Sequence, residues 1–148
     1  NPNGQIPVYK EDDFVLFESF AIARYILDNK APDNNLYPKD IKKRAVVDML
    51  AGQLNDLKIS QGGFLNGRVL MPKRGLSMPK PVLEGAEKET KRLYSYFNAK
   101  LTDKSFLYDD QLSMVDFMLV QTIIQAKMLE INFAEEYPNL AKYLNVMT

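Results

Sequence analysis

Gly4-Gln5-Ile6-Pro7-Val8, followed by Glu18-Ser19, is the part of this chain whose residue types and spacing could do chemistry. Pro7 removes one ladder donor, which places it at a strand end or edge, and X-Pro is the bond at which a cis peptide costs little. A turn there would direct the backbone of Ile6 outward, toward an extended ligand that meets it as a further strand would. Ser19 falls at a predicted helix start, where unpaired amides and the positive end of the helix dipole favour a carboxylate. Gln5 and Glu18 flank these two half-sites. Glu18 beside an anion is suited either to an ammonium group on the same ligand or to capping the helix.

Other chemistries are closed to these residues. The 148 residues contain no cysteine and no histidine. The chain alone therefore cannot build disulfides, the usual zinc sites, a Ser-His-Asp triad or a Cys-His pair. Nineteen basic residues balance nineteen acidic ones, so no global field draws the protein to nucleic acid or an acidic surface. No apolar run is long enough to span a membrane.

The elements that must position the site come next. Residues 5–9 and 14–17 read as strands joined by the polar run Lys10-Glu11-Asp12-Asp13. A two-stranded hairpin is marginal in water by itself. The helix predicted from Ser19 to about Asn29 supplies a cover, with Phe20, Ile22, Ala23, Ile26 and Leu27 at helical spacing and Arg24 and Asp28 opposite. Residues 31–37 read as a linker, and beyond it the pattern is helical throughout. Pro38 and Asp40 mark a start, and Ile41, Ala45, Val46, Met49, Leu50, Leu54 and Leu57 mark an apolar stripe.

Gly62-Gly63 predicts a kink or stop, and residues 66–81, rich in Gly and Pro, predict a long connection. A second long helix is expected from about Val82 to Leu101, with a charged outer face. Leu112-Ser113-Met114-Val115-Asp116-Phe117 carries a capping box, with Leu112 and Phe117 as a hydrophobic staple. The helix it opens, to about Glu130, is apolar nearly all round and is expected at the centre of a bundle. Phe133 to Tyr137 reads as a short turn, and Pro138 opens a last helix to Met147. Ser113 and Asp116 read as a stability device without chemistry. Met49, Met118, Met128, Tyr94 and Tyr96 read as core or interface residues before pocket lining, and Arg68 and Arg74 as exposed loop cations able to reach an anionic substrate.

Asn1-Pro2-Asn3-Gly4-Gln5-Ile6-Pro7-Val8, Leu16-Phe17-Glu18-Ser19 with Ala21-Ile22-Ala23-Arg24-Tyr25-Ile26, Leu36-Tyr37-Pro38-Lys39-Asp40, and Leu112-Ser113 to Asp116 stand in an order that resembles cytosolic glutathione S-transferases, nearest the theta, delta and phi classes. The resemblance implies a mostly α fold: an all-helical C-terminal bundle over 38–148, preceded over 1–30 by the last β-hairpin and helix of a thioredoxin-like domain. It implies a glutathione site made of Gln5, Ile6, Pro7, Glu18 and Ser19, with a cis Pro7, the Ile6 backbone against the cysteinyl part and Glu18 and Ser19 at the γ-glutamyl end.

It further implies a cytoplasmic dimer, or a subunit of a protein complex, paired through the helix at Ser19 and the long helix after Pro38. Glutathione is the expected co-substrate of an apolar electrophile, in a detoxifying role, without metal, nucleic acid or membrane. In that family the activating Ser, Tyr or Cys lies in a segment preceding the first residue here, and many relatives extend beyond the last, so no catalytic residue is expected in this chain. The alternative is a non-catalytic assembly module of the same fold, as in elongation factor gamma subunits or synthetase complexes.

Overall fold

The computed structural model describes residues 4–148; the Asn1-Pro2-Asn3 part of the motif lies outside them. A hairpin comes first, β1 (Val8–Glu11) paired antiparallel with β2 (Phe14–Phe17) in the register Val8 with Phe17 and Glu11 with Phe14. The ladder starts later and ends later than expected. Pro7 has no N–H to donate, so pairing begins at Val8, and the turn tightens to Asp12-Asp13, with Asp12 at φ 51°, a conformation aspartate tolerates. Lys10 and Glu11 are therefore strand residues.

Helix α1 (Ser19–Asn29) follows directly and holds the hairpin through one carboxylate. Glu11 accepts hydrogen bonds from the hydroxyls of Tyr9 and Tyr25, each at 2.9 Å, and pairs with Lys30. The Tyr25 ring packs at 5.4 Å from Tyr9 and 5.0 Å from Phe14. These donors, Lys30 first, hold the Glu11 carboxyl below its usual range. A hairpin with no third strand among the described residues thus gains its neighbour from the helix.

Helix α2 (Ile41–Leu65) is capped by Asp40, whose side chain accepts from the Lys43 amide at 2.9 Å. Its core stripe is Val47, Leu50, Leu54, Leu57, Gln61 and Phe64, alternating three- and four-residue steps that keep one face turned inward. Ile41, Val46 and Met49, expected in that stripe, are 83%, 41% and 51% exposed. Two ion pairs bind α1 to α2: Arg24 to Asp48 at 2.8 Å and Arg44 to Asp28 at 2.9 Å. Tyr37 lies between, donating to Asp48 at 3.0 Å with the Arg44 guanidinium 4.3 Å above its ring.

The predicted break at Gly62-Gly63 does not occur. The chain stays helical through a π turn (Asn66–Leu70) and a short helix α3 (Met71–Lys73), so the expected long connection shrinks to residues 74–79. Close packing explains the glycine at 67: a Cβ there would stand 2.7 Å from the Met78 sulfur and 2.9 Å from Leu83 Cδ1. Helix α4 (Lys80–Lys100) returns along α2. Tyr94 on α4 donates its hydroxyl to Gln61, and Gln61 donates to the Thr122 carbonyl at 2.9 Å, which satisfies the polar groups of the otherwise apolar seam.

Helix α5 (Met114–Ala126) starts at the capping box of Ser113 and Asp116. It is followed by a 3₁₀ turn (Lys127–Leu129), a single helical turn α6 (Phe133–Glu136) and α7 (Pro138–Met147). Val115, Leu119 and Ile123 are fully buried. The expectation of a helix buried all round is corrected on the opposite side, where Phe117, Ile124 and Met128 are 50%, 43% and 48% exposed. Leu112 and Phe117, the expected staple, both keep contact with solvent. The molecule is mostly helical with one small sheet. Among the described residues no helix is long and apolar enough to cross a membrane.

Candidate functional site

The Ile6-Pro7 peptide is cis, and Ile6 projects its side chain almost wholly into solvent. The chain then runs up β1, turns, and returns along β2 to Glu18. Glu18 occupies φ 75°, ψ 112°, a region that costs a non-glycine residue on the order of 1–3 kcal/mol and that clusters at ligand sites. Its geometry turns the backbone from strand to helix in one residue, so Ser19 becomes the first residue of α1.

Neither side chain serves as the helix cap. Among the described residues the Ser19 hydroxyl has no hydrogen-bond partner, and Glu18, the N-cap residue, makes no side-chain cap. The first amides of α1 likewise lack intrahelical partners.

Gly4, Gln5, Ile6, Pro7, Phe17, Glu18 and Ser19 line one open cleft of about 600 Å³ together with Lys58 from α2. All five residues singled out from the sequence, Gln5, Ile6, Pro7, Glu18 and Ser19, are therefore brought together. A second cavity of about 390 Å³ adjoins it between α1, α2 and α5, walled by Phe20, Ala23, Leu27, Leu54, Phe117 and Met118, and Ser19 and Lys58 belong to both. The pair of cavities offers a polar half with one carboxylate, one ammonium and a free hydroxyl, and an apolar half alongside. Such a site fits a small zwitterionic ligand next to an apolar group.

Sequence reasoning missed Lys58 and Phe117. Lys58 follows a core leucine in a helix that also carries Lys42 and Lys43, and nothing in its neighbourhood distinguishes it from a solvated charge. Phe117 was read as a staple and as core. Of the other residues weighed, Met118 lines the apolar cavity, Tyr94 is buried, and Met49 and Met128 are half exposed. Tyr96 donates to Gln53 at 2.8 Å. Arg68, on the π turn, and Arg74, after α3, line neither cavity. Ser113 and Asp116 stand apart from the site, as expected of a stability device.

Asp116 is fully buried at the heart of the bundle. It accepts the Leu107 amide at 3.0 Å, the Ser113 amide at 2.8 Å, the Ser113 hydroxyl at 2.9 Å and the Tyr143 hydroxyl at 3.3 Å, while Tyr143 also donates to the Asp116 carbonyl at 2.8 Å. Burial nonetheless raises the Asp116 carboxyl above its ordinary range. Burial, with the neighbouring carboxylate, pushes the Tyr143 hydroxyl far up and keeps it a donor.

Comparison with known proteins gives two family matches: the glutathione S-transferase C-terminal domain over residues 64–148 and the N-terminal domain over residues 1–28. Human glutathione S-transferase theta-2 is 30% identical over 145 residues, covering 97% of this chain and 59% of the relative. Elongation factor 1-gamma 2 of Oryza sativa subsp. japonica is 29% identical over 150 residues, covering 99% of this chain and 35% of that protein. The chain thus spans about three fifths of the one and about a third of the other. The crystal structure of human glutathione transferase theta-2 in complex with glutathione and an unknown ligand superposes with a TM-score of 0.85 at 28% identity, covering all of this chain and 62% of its own.

Proposed function

Because the chain belongs to the glutathione S-transferase family, we propose that its polar cleft binds glutathione and that the protein conjugates the glutathione thiolate to apolar electrophiles. Ser19 and the first amides of α1 hold the γ-glutamyl carboxylate. Glu18 takes the ammonium group, Gln5 contacts the tripeptide, and Ile6, turned out at Pro7, pairs its backbone with the cysteinyl portion. In the reaction the thiol loses its proton, the thiolate forms a C–S bond to an electrophilic carbon, and the leaving group departs with the electron pair. These residues bind and orient; none of them is assigned the deprotonation. The apolar cavity beside the cleft suits the electrophile.

The proposal includes the domain division, with residues 1–30 completing a thioredoxin-like domain, 31–37 a linker and 38–148 the helical domain. It also includes pairing of two copies through α1 and α2, and a cytoplasmic location. The single observation that carries the reading is the Ser19 hydroxyl, without a partner among the described residues, at the start of α1 in the same cleft as Ile6 and Pro7. Retention on immobilised glutathione tests it: the unsubstituted protein should be retained and Ser19→Ala should bind about tenfold or more weakly. Equal retention of the two would remove Ser19 from the site.

The alignment of almost the whole chain with an elongation factor 1-gamma favours a second reading, a glutathione-transferase-like module used for assembly. Turnover of glutathione with an activated aryl halide, measured on the full-length protein, separates the two. The transferase predicts saturable conjugation that Ser19→Ala weakens, whereas the module predicts binding without conjugation.

A further inference from the structure

Lys58 is the one residue of α2 that reaches the polar cleft, and with Ser19 it is one of two residues shared by both cavities. It is exposed, and among the described residues it joins no ion pair or hydrogen bond. Its backbone is nevertheless fixed, because Leu57 just before it and Leu54 and Gln61, one turn to either side, are buried in the core. A free ammonium on a rigid helix therefore faces a cleft whose other formal charge is Glu18 on the hairpin unit. Opposed single charges of this kind match the α-carboxylate and α-ammonium of an amino-acid end group.

We infer that Lys58 is a ligand-binding residue that clamps the α-carboxylate of a γ-glutamyl compound against Ser19. The inference rests on the proposed glutathione site and deepens it by naming a contact supplied from the helical bundle. Lysine acts here as a point charge on a flexible stem, so it adds attraction without demanding fork geometry. One consequence is mechanical: a bound ligand would be held by α1 on one side and α2 on the other, fastening the hairpin unit to the bundle.

Titration calorimetry on the protein tests this with glutathione and with γ-glutamylcysteine, which has the same γ-glutamyl end but lacks the glycine carboxylate. Lys58→Met should weaken both ligands about tenfold and flatten the salt dependence of binding. Lys58→Arg should restore most of the affinity, and Lys88→Met, an exposed lysine of α4 outside both cavities, should change neither. Loss with glutathione alone would assign Lys58 to the glycine carboxylate and overturn the inference, as would an equal loss in Lys88→Met. Unchanged binding in Lys58→Met overturns it while leaving the glutathione site standing. Absence of binding by the unsubstituted protein overturns both.

Discussion

Asp116 shows how a single residue can hold a position that chemistry resists. Four donors surround its carboxylate, yet burial outweighs them and raises the group's pKa. The folded state therefore binds the Asp116 proton more tightly than the unfolded chain, and stability from this group is greatest below the ordinary value of 3.8 and falls as pH rises through the raised one. Melting of the protein and of Asp116→Asn across pH 4 to 7 should show the stability gap between them widening toward the acid side. A gap that narrows there would contradict the raised pKa. Asp116→Ala strands the amides of Leu107 and Ser113 in the core, and about 3 kcal/mol of stability should be lost.

This box was legible because Ser113 and Asp116 sit at capping distance just before an apolar run. The further donors, Leu107 and Tyr143, were not legible, since they arrive from separate segments only when the chain folds. The same distinction governs the candidate site. Gln5, Ile6, Pro7, Glu18 and Ser19 lie within one hairpin-helix unit, where sequence spacing translates directly into proximity. Lys58 enters the cleft through tertiary packing, which no local pattern encodes.

At the level of elements, the hairpin is short and its only described strand partner is itself. Glu11 takes the place of a further strand by drawing Tyr9, Tyr25 and Lys30 onto one carboxylate. Because that carboxyl is held below its usual 4.5, its contribution is present above 4.5 and lost as pH falls through the lowered value. Amide exchange in β1 and β2 should accordingly quicken in Glu11→Gln relative to the unsubstituted protein near neutral pH, while α2 stays protected. Equal protection of the hairpin in both proteins would show that the aromatic packing of Tyr9, Phe14 and Tyr25 suffices.

Helices are legible where their starts carry caps or prolines, at Asp40, Ser113 and Pro138. They are poorly legible where glycine has another purpose. Gly62-Gly63 predicts a kink or stop, and Gly67 falls in the predicted long connection. At Gly67 the small residue instead admits Met78 and Leu83 against the π turn, and close packing outweighs the intrinsic cost of glycine in a helix. Periodicity does not set the phase of α2 either: Ile41, Val46 and Met49 fit a helical period equally well, and only the positions of α4 and α5 decide that Val47, Leu50 and Leu54 face inward.

Across the whole molecule, the candidate site stands where the hairpin and α1 meet α2. Arg24 with Asp48 and Arg44 with Asp28 tie α1 to α2. Surface pairs of this exposure are individually weak, so the packing of Phe20, Ala23 and Leu27 on the core carries most of the attachment. The order of elements, one hairpin followed by helices, is readable from periodicity, whereas the architecture they build is what the resemblance implies. The exposed face of α5 is not readable, because an apolar side chain gives no sign of which neighbour it will meet.

Asp116 also has a meaning for how sequence changes combine over evolutionary time. The loop containing Leu107, the start of α5 and the middle of α7 converge on its single carboxylate. Ser113 and Tyr143, far apart in the chain, are thereby neighbours in their effects. Ser113→Ala, Tyr143→Phe and the double variant form a cycle whose free energies should fail to sum by about 0.5–3 kcal/mol, whereas Ser113→Ala combined with Glu11→Gln should sum. A lineage that loses one of these hydroxyls alters which later substitutions it can tolerate at the other.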